Sequence, residues 1–230
     1  MVIINWNCNG AFRKKFKQLE QFDADIFVIQ ECEDPERSND KNYRQWAKNF
    51  IWTGDNKDKG LGIFCKESVK ISNNNWETNN LKYFLSANIN DDFNIIGLWN
   101  HHANSPTFGY IGQFWKYLQI NKSLMSKALI IGDFNSNKIW DKWDRWWNHS
   151  DVVRELEEIE IRSLYHEFFN EEQGKEQHPT FFLQKNILKP YHIDYAFADK
   201  KTFSKIKNIE IGQKIEWLQW SDHMPILIEL

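Results

Sequence analysis

The sequence predicts an α/β protein in which a mixed sheet sandwich carries outer helices. Three observations predict it. Short apolar runs rich in β-branched residues and bounded by turn residues read as buried strands. Segments of helical periodicity fall between the early strands, the alternation that builds α/β layers. From Leu61 to Trp99 the runs follow one another at hairpin-like spacing, which suggests antiparallel pairing.

Val2 to Trp6 opens the chain as a strand, without the basic region and long apolar core of a leader. Phe12 to Phe22 has helical periodicity. Ile26 to Ile29 reads as a second strand, Tyr43 to Phe50 as a helix and Gly62 to Cys65 as a third strand. A weaker run from Leu81 to Ile89 precedes the strand Asn94 to Trp99. Helical spacing returns at Tyr110 to Asn121, followed by the strand Ala128 to Ile131 and the helix Asp151 to Ile159. Thr180 to Leu183 is a weak strand, and Ile193 to Ala198 and Pro225 to Leu230 are stronger ones. No repeat, low-complexity tract or Pro/Gly/Ser linker divides residues 1–230, so a single domain is expected.

The 230 residues are 41 % hydrophobic and 27 % charged, which argues against disorder or a fibrous repeat. A membrane helix needs roughly 20 apolar residues, far more than any uninterrupted run in the chain, so no membrane association is expected. Cys8, Cys32 and Cys65 form no CxxC pair, which suits reduced thiols and a cytoplasmic location rather than a disulfide framework or structural zinc. No obligate protein partner is evident. A net charge of −3 excludes a protein coated in positive charge, yet the charge is uneven. Nine acids face three bases between Asp151 and Glu176, whereas seven lysines face three acids between Lys185 and Lys214. Most such runs are solvated faces; local basic surfaces are also compatible with phosphate-bearing substrates.

The chain holds 12 tryptophans. Trp140, Trp143, Trp146 and Trp147 recur at spacings that a helix would gather into a stripe, which predicts core or partly buried packing. The functional alternative is an aromatic platform on which bases stack beside cations.

The informative residues stand at strand ends. The first strand runs into Asn7-Cys8-Asn9-Gly10, the second into Gln30-Glu31, and the strand at Ala128 into Gly132-Asp133-Phe134-Asn135-Ser136. Asp194 begins another strand, Ser221-Asp222-His223 precedes the last, and Trp99-Asn100-His101-His102 ends the one at Asn94. Carboxylates, amides and imidazoles at the mouths of buried strands build a metal site on a rigid scaffold. Hard oxygen ligands such as Glu31, Asp133 and Asp222 favour Mg²⁺ or Mn²⁺ over zinc. Each residue alone has a bland reading, an exposed acid or a side-chain-bonded turn. Their joint occurrence in order is the signal.

The ordered set WNCNG, VIQE, IIGDFNS, HIDYAFA and SDHMPI resembles the endonuclease/exonuclease/phosphatase superfamily, whose members include exonuclease III-type apurinic endonucleases and deoxyribonuclease I. The resemblance spans nearly the whole chain. It implies a four-layer α/β sandwich, two mixed β-sheets packed face to face with outer helices. It implies Glu31 as the principal Mg²⁺ ligand, Asn7 beside it orienting metal and phosphate oxygens, and Asp222 supporting the metal directly or through water. His223 would contact the scissile phosphate with Asp194 holding its ring, an acid partner that favours the imidazolium. Asp133 would position or deprotonate the attacking water or protonate the leaving oxygen, and Asn135 would hold the phosphate.

The chain also departs from the pattern. Asn9 stands where apurinic endonucleases have Asp, which weakens a second metal position. Trp99 stands where relatives deliver a catalytic His or Tyr, so His101 or His102 would supply an imidazole from a shifted position; paired histidines beside Asn104 are equally compatible with a structural loop. Asn9, Trp99, His101 and His102 are the expected substrate contacts. The function these residues imply is divalent-metal-dependent phosphodiester hydrolysis, a nuclease acting on DNA. The alternative keeps the chemistry for a small phosphorylated molecule or lipid headgroup, which the acidic balance favours. A non-catalytic binding module is disfavoured, because buried strand-end carboxylates are costly without a partner.

Overall fold

The computed structural model describes residues 1–103 and 105–230, so Asn104 lies outside the described residues. Two mixed six-stranded sheets pack face to face. The first has the order β13-β14-β1-β2-β4-β3, formed by Asn208–Ile211, Ile226–Glu229, Val2–Asn7, Ile26–Cys32, Lys59–Cys65 and Phe50–Asn56. The second has the order β5-β6-β7-β8-β12-β9, formed by Ile71–Asn73, Phe84–Ile89, Phe93–Trp99, Ala128–Asp133, Asp194–Asp199 and Ile161–Ser163. Each sheet contains one parallel pair, β1 with β2 and β7 with β8, and the remaining neighbours run antiparallel.

Strand alternation decides which side chains meet between the sheets. In β1, Ile4 and Trp6 turn outward, Trp6 meeting the rings of Phe12 and Trp217, whereas Ile3, Asn5 and Asn7 face the second sheet. In β8, Ile130 joins the outer cluster while Leu129, Ile131 and Asp133 face inward. The same parity carries Asp194, Ala196 and Ala198 of β12 inward. Aliphatic positions thus weld the sheets in mid-strand, and the polar positions of that face fall at the strand ends. Gly97 allows a close approach, since a Cβ there would lie 3.1 Å from Val28 of the opposite sheet.

Helices cover both outer faces. On the first sheet lie the 3₁₀ turns Phe12–Lys14 and Phe16–Phe22, α1 (Lys41–Trp46) and the short Lys214–Trp217. On the second, α2 (Ile111–Asn121) and α3 (His149–Glu157) bury Phe114, Leu118, Val152 and Leu156 against Ile96, Leu98, Ile130 and Phe197. Among the described residues no helix is long and apolar enough to cross a membrane, and the three cysteines are buried and free.

Several local expectations need correction. Phe12 to Phe22 is 3₁₀ rather than α-helical, interrupted at Lys15, with Asp23 ending it in the left-handed region. The helix expected at Tyr43 to Phe50 ends at Trp46, because Phe50 already belongs to β3. Thr180 to Leu183 contributes only β10 (Phe181–Phe182), paired with β11 (Pro190–Tyr191) in a separate ribbon. The tryptophan run is not a buried helical stripe. After the 3₁₀ turn Lys138–Trp140 it is a loop, and of its four indoles only Trp147 is buried.

Candidate active site

Both parallel pairs end at the same mouth of the sandwich. Asn7 is opposite Gln30 in the first sheet, and Asp133 lies beside Trp99 and opposite Asp194 in the second. The register of β2 against β4 shifts between Gln30 and Cys32, and Glu31 in the bulge adopts φ 62°. The extra residue breaks strand alternation and turns the Glu31 carboxylate to the mouth beside Asn7, whose amide Nδ2 lies 3.4 Å from Glu31 Oε1. The same Nδ2 donates to Asp133 Oδ2 at 2.9 Å. Asn7 therefore bridges a carboxylate from each sheet, while its Oδ1 accepts from the backbone of Asn9 at 3.0 Å.

Asp133 is fully buried. Its Oδ1 accepts from the Asn135 backbone at 2.8 Å, closing a turn in which Asn135 itself is left-handed. The residue before it must be glycine, since a Cβ on Gly132 would lie 2.0 Å from the Leu98 carbonyl. Asp194, also fully buried, accepts from His223 Nδ1 at 2.9 Å through Oδ2, while its Oδ1 has no hydrogen-bond partner among the described residues. His223 is fixed from behind. Its backbone N–H donates to Ser221 Oγ, whose hydroxyl donates to the Asn7 carbonyl, and its own carbonyl accepts from Trp6 Nε1. Donor atoms of Asp133, Asp194 and His223 lie within 4.8 Å of one another, a carboxylate–imidazole cluster able to hold a metal ion.

The electrostatics follow from this crowding. Burial, and then the negative charge of Asp194, push the Asp133 carboxyl up to about 7. Burial alone would lower His223, but Asp194 and Asp133 outweigh it and raise the imidazole to about 9. A carboxyl that titrates near neutrality beside a stable imidazolium is an acid–base set poised for proton transfer.

The other expected residues spread around this centre. Asp222 is half-buried at the mouth, 3.5 Å from Ser221 Oγ. Asn9 is exposed and left-handed. His101 and His102 are exposed on the loop after β7, and burial lowers the His101 imidazole from its ordinary value. Trp99 is buried, with ring centroids 4.6 Å from Tyr83 and 5.2 Å from His101, so it forms the wall on which His101 rests.

Three residues to which the sequence assigned no role complete the site. Buried Asn100 donates to the Phe134 carbonyl at 2.9 Å, and its own carbonyl accepts from Asn135 Nδ2 at 3.3 Å, clamping the Asp133 turn. It stands at a strand end like the others and the same rule reaches it. Thr180 Oγ1 accepts from the backbone N–H groups of Ile193 and Asp194, both at 3.0 Å, and so anchors the start of β12. Lys59 brings its ammonium to 2.6 Å from Glu31 Oε2 and 5.7 Å from the Trp99 ring centroid; only the register of β4 against β2 reveals that placement.

The fold has solved counterparts. A 3′ phosphatase, NExo, from Neisseria bound to product DNA hairpin aligns with a TM-score of 0.73 at 17 % identity, covering 100 % of this chain and 99 % of that one. A 3′–5′ exonuclease (NExo) from Neisseria meningitidis gives 0.72 at 17 % identity, with the same 100 % and 99 % coverage. An AP endonuclease from Archaeoglobus fulgidus gives 0.67 at 16 % identity, again covering 100 % and 99 %. At these identities the likeness is one of fold. A sequence search of curated proteins finds no match. Residues 4–223 match the model of the Endonuclease/Exonuclease/phosphatase family, and with the strand-end site just described the chain belongs to that family.

Proposed function

We propose that the chain is a divalent-metal-dependent phosphoesterase that hydrolyses phosphodiester bonds in DNA, as an endonuclease or exonuclease. The observation that carries the reading is the Asp133–Asp194–His223 cluster, joined through Asn7 to Glu31 at the mouth of the two sheets. The Neisseria 3′ phosphatase with its product DNA hairpin lends support on substrate class.

The residues suit a hard divalent cation. The donors are carboxylate and amide oxygens, and the Glu31 carboxylate already draws a cation, the Lys59 ammonium. We assign Glu31 as principal ligand of Mg²⁺ or Mn²⁺, with Asn7 orienting it and Asp222 in support. When bound, the ion neutralises phosphate charge and makes the phosphorus more electrophilic.

The protein groups supply the rest. Asp133, with its carboxyl raised to about 7, takes a proton from the attacking water as the new P–O bond forms and the ester P–O bond breaks, and the leaving oxygen takes its proton from solvent water. His223 presents its outer nitrogen to the scissile phosphate as a charged donor, held by Asp194, and Asn135 contributes an amide to a non-bridging oxygen. Asn9, His101 and His102 stand on the exposed rim where substrate would lie, with Trp99 behind them. Buried free thiols support a reducing, cytoplasmic setting.

The test is nicking of supercoiled plasmid with Mg²⁺, with EDTA, and by Glu31→Gln. Nicking that requires both metal and Glu31 is expected; Mg²⁺-dependent nicking by Glu31→Gln at the native rate would remove Glu31 from the metal site. A rate that falls steeply with salt marks DNA as the substrate, whereas a small phosphoester would show little salt dependence.

A further inference from the structure

The loop between Asp133 and α3 carries a feature that the chemistry above does not use. Trp140, Trp143 and Trp146 are 45 %, 99 % and 63 % exposed. Displaying three indoles to water opposes the hydrophobic effect, and such patches on a soluble surface mark contact sites. The loop is nonetheless tied down by polar bonds. The Asn148 side chain accepts from Lys142 N–H at 2.9 Å and donates to the carbonyls of Lys142 and Arg145 at 2.9 and 3.0 Å. Asp141 accepts from the backbone N–H groups of His149 and Ser150. At the other end, buried Asn137 donates to the His192 carbonyl and the Tyr195 hydroxyl, both at 2.9 Å. Hydrogen bonds hold the backbone, Trp140 rests against Tyr191 and Trp146 against Trp147, and Trp143 stands free.

Charge and position say what would cover them. Lys138, Lys142 and Arg145 alternate with the indoles and outnumber the two acids among them by one, and the Asp141 carboxylate is turned to the start of α3. A cavity of about 240 Å³ runs from Trp140 and Arg145 to Asn135 and Ser136, so the first indole of the run adjoins the turn that holds Asp133. Aromatic rings interleaved with cations beside a phosphate site match a nucleic-acid strand whose bases are free to stack, with its phosphates on the lysines. Bases in a duplex are already stacked and offer no free face.

We propose that Trp140, Trp143 and Trp146 form a base-stacking arm that engages unpaired nucleotides next to the phosphate at Asn135, so the favoured substrates are single-stranded tails, gaps or loops. This rests on the nuclease reading for its biological sense, but binding tests it separately. The probes are a labelled oligothymidylate of about 12 nucleotides, long enough for one site, and a blunt-ended duplex of two annealed strands, both titrated in EDTA. Trp143→Ala and Trp146→Ala should each weaken oligothymidylate binding about tenfold, with duplex binding changed less than about twofold and Trp143→Phe restoring most of the loss. Because these rings are exposed, the variants should keep the native unfolding midpoint. Unchanged oligothymidylate affinity in the double variant would overturn the arm, as would equal losses on both probes. So would loss of binding to anionic vesicles with oligonucleotide binding intact, which would make the surface a membrane contact. If the native protein binds neither nucleic acid at low salt, the substrate class itself fails along with the arm.

Discussion

Replacing Asp194 by Asn keeps the shape of the His223 contact and removes its charge. The pair is buried, with His223 Nδ1 2.9 Å from Asp194 Oδ2. Two unit charges about 4 Å apart at an effective dielectric near 20 interact by about 4 kcal/mol, a ceiling of about 3 pKa units. Asp133 remains nearby and burial still opposes charge, so the imidazole should fall from about 9 to between about 6 and 7. At pH 8 the imidazolium fraction then drops about 30-fold, whereas at pH 6 it drops less than about twofold. The assay is kcat/KM on a phosphodiester oligonucleotide from pH 5 to 10, with side-chain ¹⁵N shifts of His223 read on the same protein. The descending limb should move down by 2 to 3 units, and activity at pH 6 should be largely retained. A uniform loss at every pH, or a limb that stays near 9, would refute the role given to the charge. The stability effect has a definite sign. A raised imidazole stabilises fully below its ordinary value of 6.5 and loses that contribution as pH rises through about 9, and the variant should lack it.

Further outcomes follow from the same geometry. His149 and His192 are buried and pushed down to about 4 by burial, so the unfolded chain takes up protons first as pH falls below 6.5. Stability should be full above 6.5 and decline toward 4, by up to about 3 kcal/mol per pH unit for the two together; equal urea midpoints at pH 7 and pH 5 would contradict it. Thr180→Val leaves the N–H groups of Ile193 and Asp194 without an acceptor and should cost about 1–3 kcal/mol in urea unfolding, with turnover falling alongside. Lys59→Met removes a half-exposed ammonium that competes for Glu31, so Mg²⁺ should bind about 2- to 5-fold more tightly by calorimetry; weaker binding would show that Lys59 does not compete.

The strands and their polar ends were legible because alternation and turn residues are local. Asp133 and Asp194 could each be read at a strand end, but that they are opposite each other is a matter of register between distant segments. Glu31 was legible as an acid after a strand; the bulge that aims it depends on pairing with β4, which no local pattern records. The tryptophan spacing suggested a buried stripe because periodicity assumes a helix, and Asn148 instead binds that segment into a loop. Lys59 escaped for the same reason as Thr180: their work is done on backbones and side chains far away in sequence.

The Asn7 bridge has a consequence for how the protein fails. One amide holds Glu31 from the first sheet and Asp133 from the second, and Ser221 and His223 close the seam from behind. The geometry proposed for catalysis is therefore also a latch between two halves that each retain their own ladder hydrogen bonds. A fluctuation that parts the sheets by an ångström or two would leave the circular dichroism of both untouched and erase the site. Loss of turnover on gentle heating should then precede loss of secondary structure, which makes inactivation a reporter of the seam between the sheets.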